Sequence, residues 1–306
     1  MKRIIISSLF RLKDYPDKGE IGRVYVLDWD TKKLITNPVG IEPGYSLRKP
    51  TGKSHGARGV TIYDGKILVA GSGNKFSYFN LDTYDLIETF ELDYVAYTHQ
   101  IKAVGEFLYI VSTGNDKVFK LSGRRIVEEI DISDLCSVLD PFITEGRLKN
   151  EWGTDRSHTN SVGWDIAGSM YHVYFGANML FNYTTKEIVY QGGLFNGPHD
   201  IVDHCGDLIV NSTLNHTTLR IDKATKEVEV IFSATVEDNP GGIDNNWGAT
   251  RGLCTFRDYL FIGNVPTRIS LLKREGSSYE FIETFDVSLA QYEAIYDMVL
   301  DPRDWV

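Results

Sequence analysis

Four of the seven histidines, His55, His99, His158 and His199, stand just ahead of short apolar runs, with Arg58 before the same run as His55 and Arg251 before another. When these runs are aligned, one position holds Arg58, His99, Ser161, His199, Arg251 and Tyr296. Three residues earlier stand His55, Ala96, His158, Asn196, Gly248 and Glu293, with Asn160, Asp200 and Asp297 alongside. Three chemistries fit such a set if the runs converge. Imidazoles and a carboxylate can hold a divalent metal ion that activates water or polarises a carbonyl, as in a hydrolase or lyase; the ligands would be His99, His158, His199 and Glu293. Alternatively, Arg58 and Arg251 with the histidines can grip a sulfate, phosphate or carboxylate. A histidine then serves as general base or nucleophile, with His199 and His158 as the candidates. His55, Asn160, Asp200 and Tyr296 would contact the ligand. In the third reading these residues hydrogen-bond to one another and to water, and the protein binds a ligand or partner without catalysis.

Positioning such a set requires a repeated element. From Gly197 the chain reads GPHDIVDHCGDLIVNSTLNHTTLRIDKATKEVEVIF. It predicts four strands, Asp200–Asp203, Asp207–Ser212, Thr218–Asp222 and Glu227–Phe232, separated by the turn signals CGD, LNH and KATK. The same layout overlies segments starting at Ser54, Thr98, Ser157 and Trp247. Each has a Gly- or Asp-bearing turn, such as Asp64-Gly65 or Cys205-Gly206, ahead of its second strand. Asn74, Asn115, Asn178 and Asn215 close that strand in four of them, a turn role that Asn fills without further function. Four strands recurring about every forty residues are the pattern of β-propeller blades.

Near the N-terminus, RIIISS, GRVYVLDWDTKK and KLITNPVG supply three strands of a further unit and lack its first. EAIYDMVLDPRDW at the C-terminus supplies that first strand, with Tyr296 aligned on His199 and Asp297 on Asp200. The expected fold is therefore all-β: a single-domain six-bladed β-propeller with four antiparallel strands per blade, the last strand joining the first blade and hiding its edges. The blades are 293–306 with 2–40, then 54–93, 97–133, 157–193, 197–234 and 247–288. In a propeller the first strands line the central channel, which is where the chemical set would meet.

Leu9–Ile21, Leu135–Arg156 and Thr235–Asn246 fall outside the repeat and read as long loops, the second with a short helix around Ser137–Lys149. Long loops on a rigid scaffold commonly carry binding. Trp152, Trp164 and Trp247 are expected near the channel mouth. Of the remaining histidines, His172 reads as a hydrogen-bonded core residue, His204 as an exposed turn residue, and His216 as a residue of a loop rim.

The formal charge of −10 argues against nucleic acid or an anionic membrane as partner and leaves a small-molecule substrate. Cys136, Cys205 and Cys254 are odd in number and lack CxxC spacing, which suits a reducing compartment. The start MKRIIISSLFRLKDYPDK has too short an apolar run for a signal peptide, and a cytoplasmic location is expected.

Two resemblances rest on these motifs. HTNSV at His158–Val162, PHDIV around His199, ATRGLCTFRDYLFIGN at Ala249–Asn264 and EAIYDMVL at Glu293–Leu300 resemble an uncharacterised family of intracellular six-bladed propellers. That resemblance implies a fold and no activity. HTNSV and PHDI are also similar to motifs of propeller-type arylsulfotransferases. The second resemblance implies that His158 and Asn160 hold a sulfuryl group and that His199 attacks it. Gluconolactonase-like propellers share the expected fold and a central divalent ion, an analogy of fold alone.

Overall fold

A computed structural model describes residues 1–11, 22–36, 39–40, 54–71, 73–132, 157–234, 250–265, 267–288 and 293–305. The expected loop Leu135–Arg156 with its helix, the loop Thr235–Asn246, Trp152, Trp247 and Cys136 lie outside them. Among the described residues the sheets are antiparallel: four have four strands each, and a nine-stranded sheet divides into one more four-stranded unit and an N-terminal unit that takes in the C-terminal strand. The chain is an all-β, six-bladed propeller. It divides into two compact units, one holding Met1–Thr159 with Tyr296–Asp304 and the other Asn160–Ile295 with Trp305.

In the first unit, β1 (Arg3–Arg11) pairs with β2 (Arg23–Asp28), and β2 carries the short β3 (Lys33–Leu34) and β4 (Val39–Gly40). The second sheet is β5 (Ser54–Tyr63), β6 (Lys66–Gly71), β7 (Lys75–Asn80) and β8 (Leu86–Glu91). The third is β9 (Thr98–Val104), β10 (Phe107–Ser112), β11 (Lys117–Ser122) and β12 (Arg125–Asp131). The other unit holds β13 (Thr159–Trp164), β14 (Met170–Tyr174), β15 (Met179–Asn182) and β16 (Glu187–Gln191). It continues with β17 (Pro198–His204), β18 (Asp207–Ser212), β19 (Thr217–Ile221) and β20 (Val228–Ser233). Its last sheet is β21 (Thr250–Phe256), β22 (Tyr259–Asn264), β23 (Arg268–Glu275) and β24 (Ser278–Asp286). The C-terminal β25 (Glu293–Leu300) pairs with β1 and completes the first sheet, as the alignment required.

Burial explains the strand order. The second strands β6 and β10 are buried along almost their whole length, whereas the outer strands β8 and β24 are largely exposed. Second strands are therefore apolar on both faces and lie between neighbouring sheets. Leu68, Ala70 and Phe76 of the second sheet pack on Leu108, Ile110 and Phe119 of the third. Val173 and Leu180 meet Ile201, Leu208 and Val210 in the same way. Burying each such side chain contributes roughly 1.5–3 kcal/mol. The turns Asp64-Gly65 and Cys205-Gly206 have positive φ at both residues, the primed geometry that matches strand twist. At Gly59 in β5, a Cβ would stand 2.8 Å from the Ile101 nitrogen, so glycine there lets adjacent first strands approach.

One feature departs from the repeat. β1 runs on to Arg11 and pairs with β5 through Leu9↔Gly56, Phe10↔His55 and Arg11↔Ser54, joining the first two sheets by main-chain bonds. The first residues of the stretch expected as a loop, Leu9–Arg11, are therefore strand.

Polar residues fasten the C-terminal strand. Asp304 accepts hydrogen bonds from the Arg3 backbone N–H at 3.1 Å, from Nη2 at 2.9 Å and from Nε. Arg3 also meets the buried Asp301 at 3.1 Å, which Arg303 grips through Nε at 2.9 Å and Nη2 at 2.7 Å. The Arg3 guanidinium holds the Asp304 carboxyl below its ordinary range. A carboxyl depressed in the fold stabilises it above the unfolded-state pKa, and that contribution is lost as pH falls through the folded value. Asp304→Asn is expected to cost roughly 1–3 kcal/mol in urea unfolding at neutral pH, with a smaller difference from the parent in acid.

Candidate functional site

β-Bulges aim the candidate side chains. In β5 the register shifts between Ala57 and Gly59, and in β9 pairing passes from Gln100 to Thr98, so Arg58 and His99 are the extra residues. A bulge turns its extra residue out of the ladder. Tyr97 and His158 precede β9 and β13 with φ of 55° and 46°, left-handed values that few non-glycine residues adopt.

These residues and Tyr296 of β25 form one cluster in the first unit. Arg58 is 2% exposed. Its Nη2 donates to the Tyr97 hydroxyl at 2.9 Å, and its Nη1 stands 3.3 and 3.4 Å from the two ring nitrogens of His99. The guanidinium carbon lies 4.2 Å from the Tyr97 ring centre and 5.7 Å from that of Tyr296, within cation–π range. His99 and His158 are edge to face at 4.9 Å, as are Tyr97 and His99. His99 and Tyr296 lie 6.2 Å apart. Burial opposes the Arg58 charge, but the Tyr97 and Tyr296 oxygens favour it, and the balance lies with the charged form. Arg58, His99 and Tyr296 are buried, while Tyr97 and His158 are partly exposed.

The second unit places His199 at the start of β17. Its Nδ1 lies 2.8 Å from the Gly197 carbonyl oxygen. A carbonyl can only accept, so in the neutral ring the proton sits on Nδ1 and the lone pair on Nε2. Phe175 lies edge-on to the ring at 5.6 Å. Asn160 Nδ2 donates to the Pro198 carbonyl at 2.9 Å. Glu293 is fully buried, and Arg251 is partly exposed on β21. His55 lies on β5, and its side chain is outside the described part.

Asp200 and Asp297 share one backbone-bridging arrangement. Asp200 accepts from the Ile201 N–H at 2.8 Å and the Leu253 N–H at 2.6 Å. Asp297 accepts from Met298 at 2.8 Å and Val60 at 3.2 Å. Both carboxylates thus clamp adjacent sheets, and the repeated pattern supports the alignment of Tyr296 on His199. Replacing Asp200 by Ala strands two buried N–H groups and is expected to cost roughly 3 kcal/mol, with Asn intermediate, in denaturant melts. The aligned position differs in the fourth sheet. Thr113 Oγ1 donates to the Thr159 carbonyl as Thr213 Oγ1 does to Thr250, so Asn160 rather than Ser161 corresponds to Arg251.

Among the described residues, no group of three or more His, Cys, Asp or Glu side chains is placed to hold a metal ion. His99 also lies against the Arg58 guanidinium, whose charge opposes a divalent cation there. The expected metal set of His99, His158, His199 and Glu293 does not fit this geometry, and no step is derived through a metal.

Two of the other histidines depart from expectation. His204 is 2% exposed rather than exposed; its Nε2 donates to the Arg257 carbonyl and its Nδ1 accepts from the Tyr279 hydroxyl, both at 2.8 Å. His172 is a core residue, but neither ring nitrogen has a hydrogen-bond partner, and the ring stacks on Tyr183 at 4.8 Å. His216 has φ of 59° after a short 3-10 turn, and burial lowers its pKa. Of the four asparagines expected to take left-handed turn backbone, Asn178 does, with φ of 48°; after Asn115 and Asn215 the left-handed residues are Asp116 and His216, and the asparagines instead donate from Nδ2 to the Tyr94 and Leu194 carbonyls. Tyr97 was missed because the aligned positions skip it. Its signal was the place it shares with His158 and Gly197, two residues before a candidate side chain.

No protein-family model matches the sequence, and no curated protein matches it. Solved structures do. A protein of unknown function from Bacteroides caccae is 11% identical over 98% of each chain, with a TM-score of 0.60. A chain of a nidogen–laminin complex is 10% identical over 97% of this chain and 98% of that one, with a TM-score of 0.60. A streptogramin B lyase is 14% identical over 77% of this chain and 70% of that one, with a TM-score of 0.50. At these identities the likeness is one of fold, and the propeller is what this chain shares with them.

Proposed function

We propose that the protein binds a small anionic molecule at the Arg58 cluster and acts on it by proton transfer. The observation that carries this reading is a buried guanidinium against the His99 imidazole, which in turn meets His158, with Tyr97 and Tyr296 rings alongside. A guanidinium in such a setting suits a carboxylate, sulfate or phosphate, and charge-assisted bonds strengthen where water is excluded. His158, partly exposed and edge-on to His99, is the group set to exchange a proton with a bound ligand, and Arg58 orients His99. A lyase stands among the structural neighbours, but that likeness is one of fold and does not bear on the chemistry proposed here. The test is calorimetric titration with inorganic sulfate and phosphate, followed by a turnover screen of small carboxylate, sulfate and phosphate esters. Saturable anion binding lost on substitution of Arg58 supports the reading; no binding of either anion removes it.

A second reading is group transfer at His199, favoured by the Nδ1 bond to Gly197 that leaves Nε2 as the nucleophilic nitrogen. The sulfuryl group would pass to Nε2 as the phenolate leaves. Asn160 has committed an amide proton to Pro198, which weakens it as a sulfuryl donor. Labelling of His199 by an aryl sulfate would favour this route, and transfer surviving His199→Gln would exclude it.

A further inference from the structure

A cavity lies at the last two sheets of the second unit. Its volume is about 540 Å³, within the range of small-molecule sites. Ile231 and Phe232 of β20, Val265 after β22, and Phe281 of β24 form its apolar walls. Phe281 is 53% exposed and neighbouring Ile282 43%, much as the outer-strand residues Leu86 and Ile87 are. The Phe232 and Phe281 rings are 18° from parallel with centres 6.5 Å apart. That pair offers aromatic faces at the cavity wall.

The polar wall is a hydrogen-bonded chain. Asn264 Nδ2 donates to Ser270 Oγ at 2.8 Å, and Ser270 Oγ and Thr284 Oγ1 are 2.9 Å apart, either able to donate. When Ser270 gives its proton to Thr284, the exposed Thr284 hydroxyl keeps its own for a ligand; in the reverse direction it only accepts. The cation lining the cavity, Arg268, is paired with Asp286. The site therefore offers aromatic faces, one hydroxyl and a compensated charge.

We propose that this cavity binds a small uncharged aromatic carbonyl compound, with its ring against Phe281 and Phe232 and its carbonyl accepting from Thr284. An anion gains little from a guanidinium already paired, and a saturated ring loses the aromatic contact. The probe is benzamide, followed by saturation-transfer NMR and titration, with benzoate and cyclohexanecarboxamide as comparisons. Saturable benzamide binding is expected, stronger than that of either comparison. Phe281→Ala and Thr284→Val, both at exposed positions, should each weaken it about tenfold, a change of about 1.4 kcal/mol, with the melting temperature preserved. Absence of saturable binding at millimolar benzamide would overturn the proposal, as would binding unchanged in both variants. Benzoate or cyclohexanecarboxamide binding as tightly as benzamide would overturn the assigned chemistry. None of these outcomes depends on the Arg58 cluster, so Arg58→Gln should leave benzamide binding unaltered.

Discussion

Arg58→Gln should weaken sulfate or phosphate binding about a hundredfold, close to 3 kcal/mol, while Arg58→Lys should recover part of the loss. The magnitude follows from the contacts. A hydrogen bond to a charged group is worth about 1.5–3 kcal/mol, and a guanidinium presents two parallel donors to a tetrahedral or planar anion. Lysine restores the charge without the fork. Glutamine also gives up the cation–π contact with Tyr97 at 4.2 Å, so folding must be followed separately by circular dichroism. His158→Gln is the complementary variant, because it removes the group proposed to exchange a proton with the ligand and leaves Arg58 in place. It should reduce turnover far more than affinity. If Arg58→Gln and the parent bind both anions equally, the cluster is a structural plug of mutually bonded residues.

His172→Phe should flatten the acid limb of the stability curve. Burial, with a smaller contribution from Lys186, pushes the His172 pKa down from 6.5 to about 3. The unfolded chain takes up a proton below about pH 6.5, while the folded chain takes none until about pH 3. Stability from this residue is therefore full above the unfolded value and declines as pH falls toward the folded one. At about pH 4 the loss amounts to about 3 kcal/mol, at 1.36 kcal/mol per pH unit. Phenylalanine keeps a ring against Tyr183 and removes both buried nitrogens. Depressed carboxyls such as Asp304 lose stability in acid in parent and variant alike, so the difference between the two proteins isolates His172. Denaturant unfolding at about pH 7 and pH 4 gives the measurement. An equal fall in both proteins would mean that His172 is hydrated in the fold.

The repeat was legible because its signals are local. Asp207–Ser212 forms β18 with the predicted bounds, since its apolar run and its Cys205-Gly206 turn specify a strand without help from distant residues. The joining of EAIYDMVL to the first sheet was also readable, because Asp297 repeats the role of Asp200. By contrast, the main-chain link between β1 and β5 has no local sign. It depends on how closely two strands approach at Gly56, where a Cβ on Gly22 would lie 2.3 Å from its Cα.

For the site, the sequence by itself determined which residue types stand at the strand starts, and Arg58, His99, His158 and Tyr296 do meet. Only the tertiary structure decided how they meet. It set the Arg58 guanidinium 3.3 Å from a His99 ring nitrogen, a neighbour whose charge opposes a cation there. It also spent the carboxylates of Asp200 and Asp297 on backbone N–H groups of neighbouring sheets. Spacing along a chain reports which side chains can converge. The sign of the charge they create depends on distances of a few ångströms between residues that are far apart in sequence.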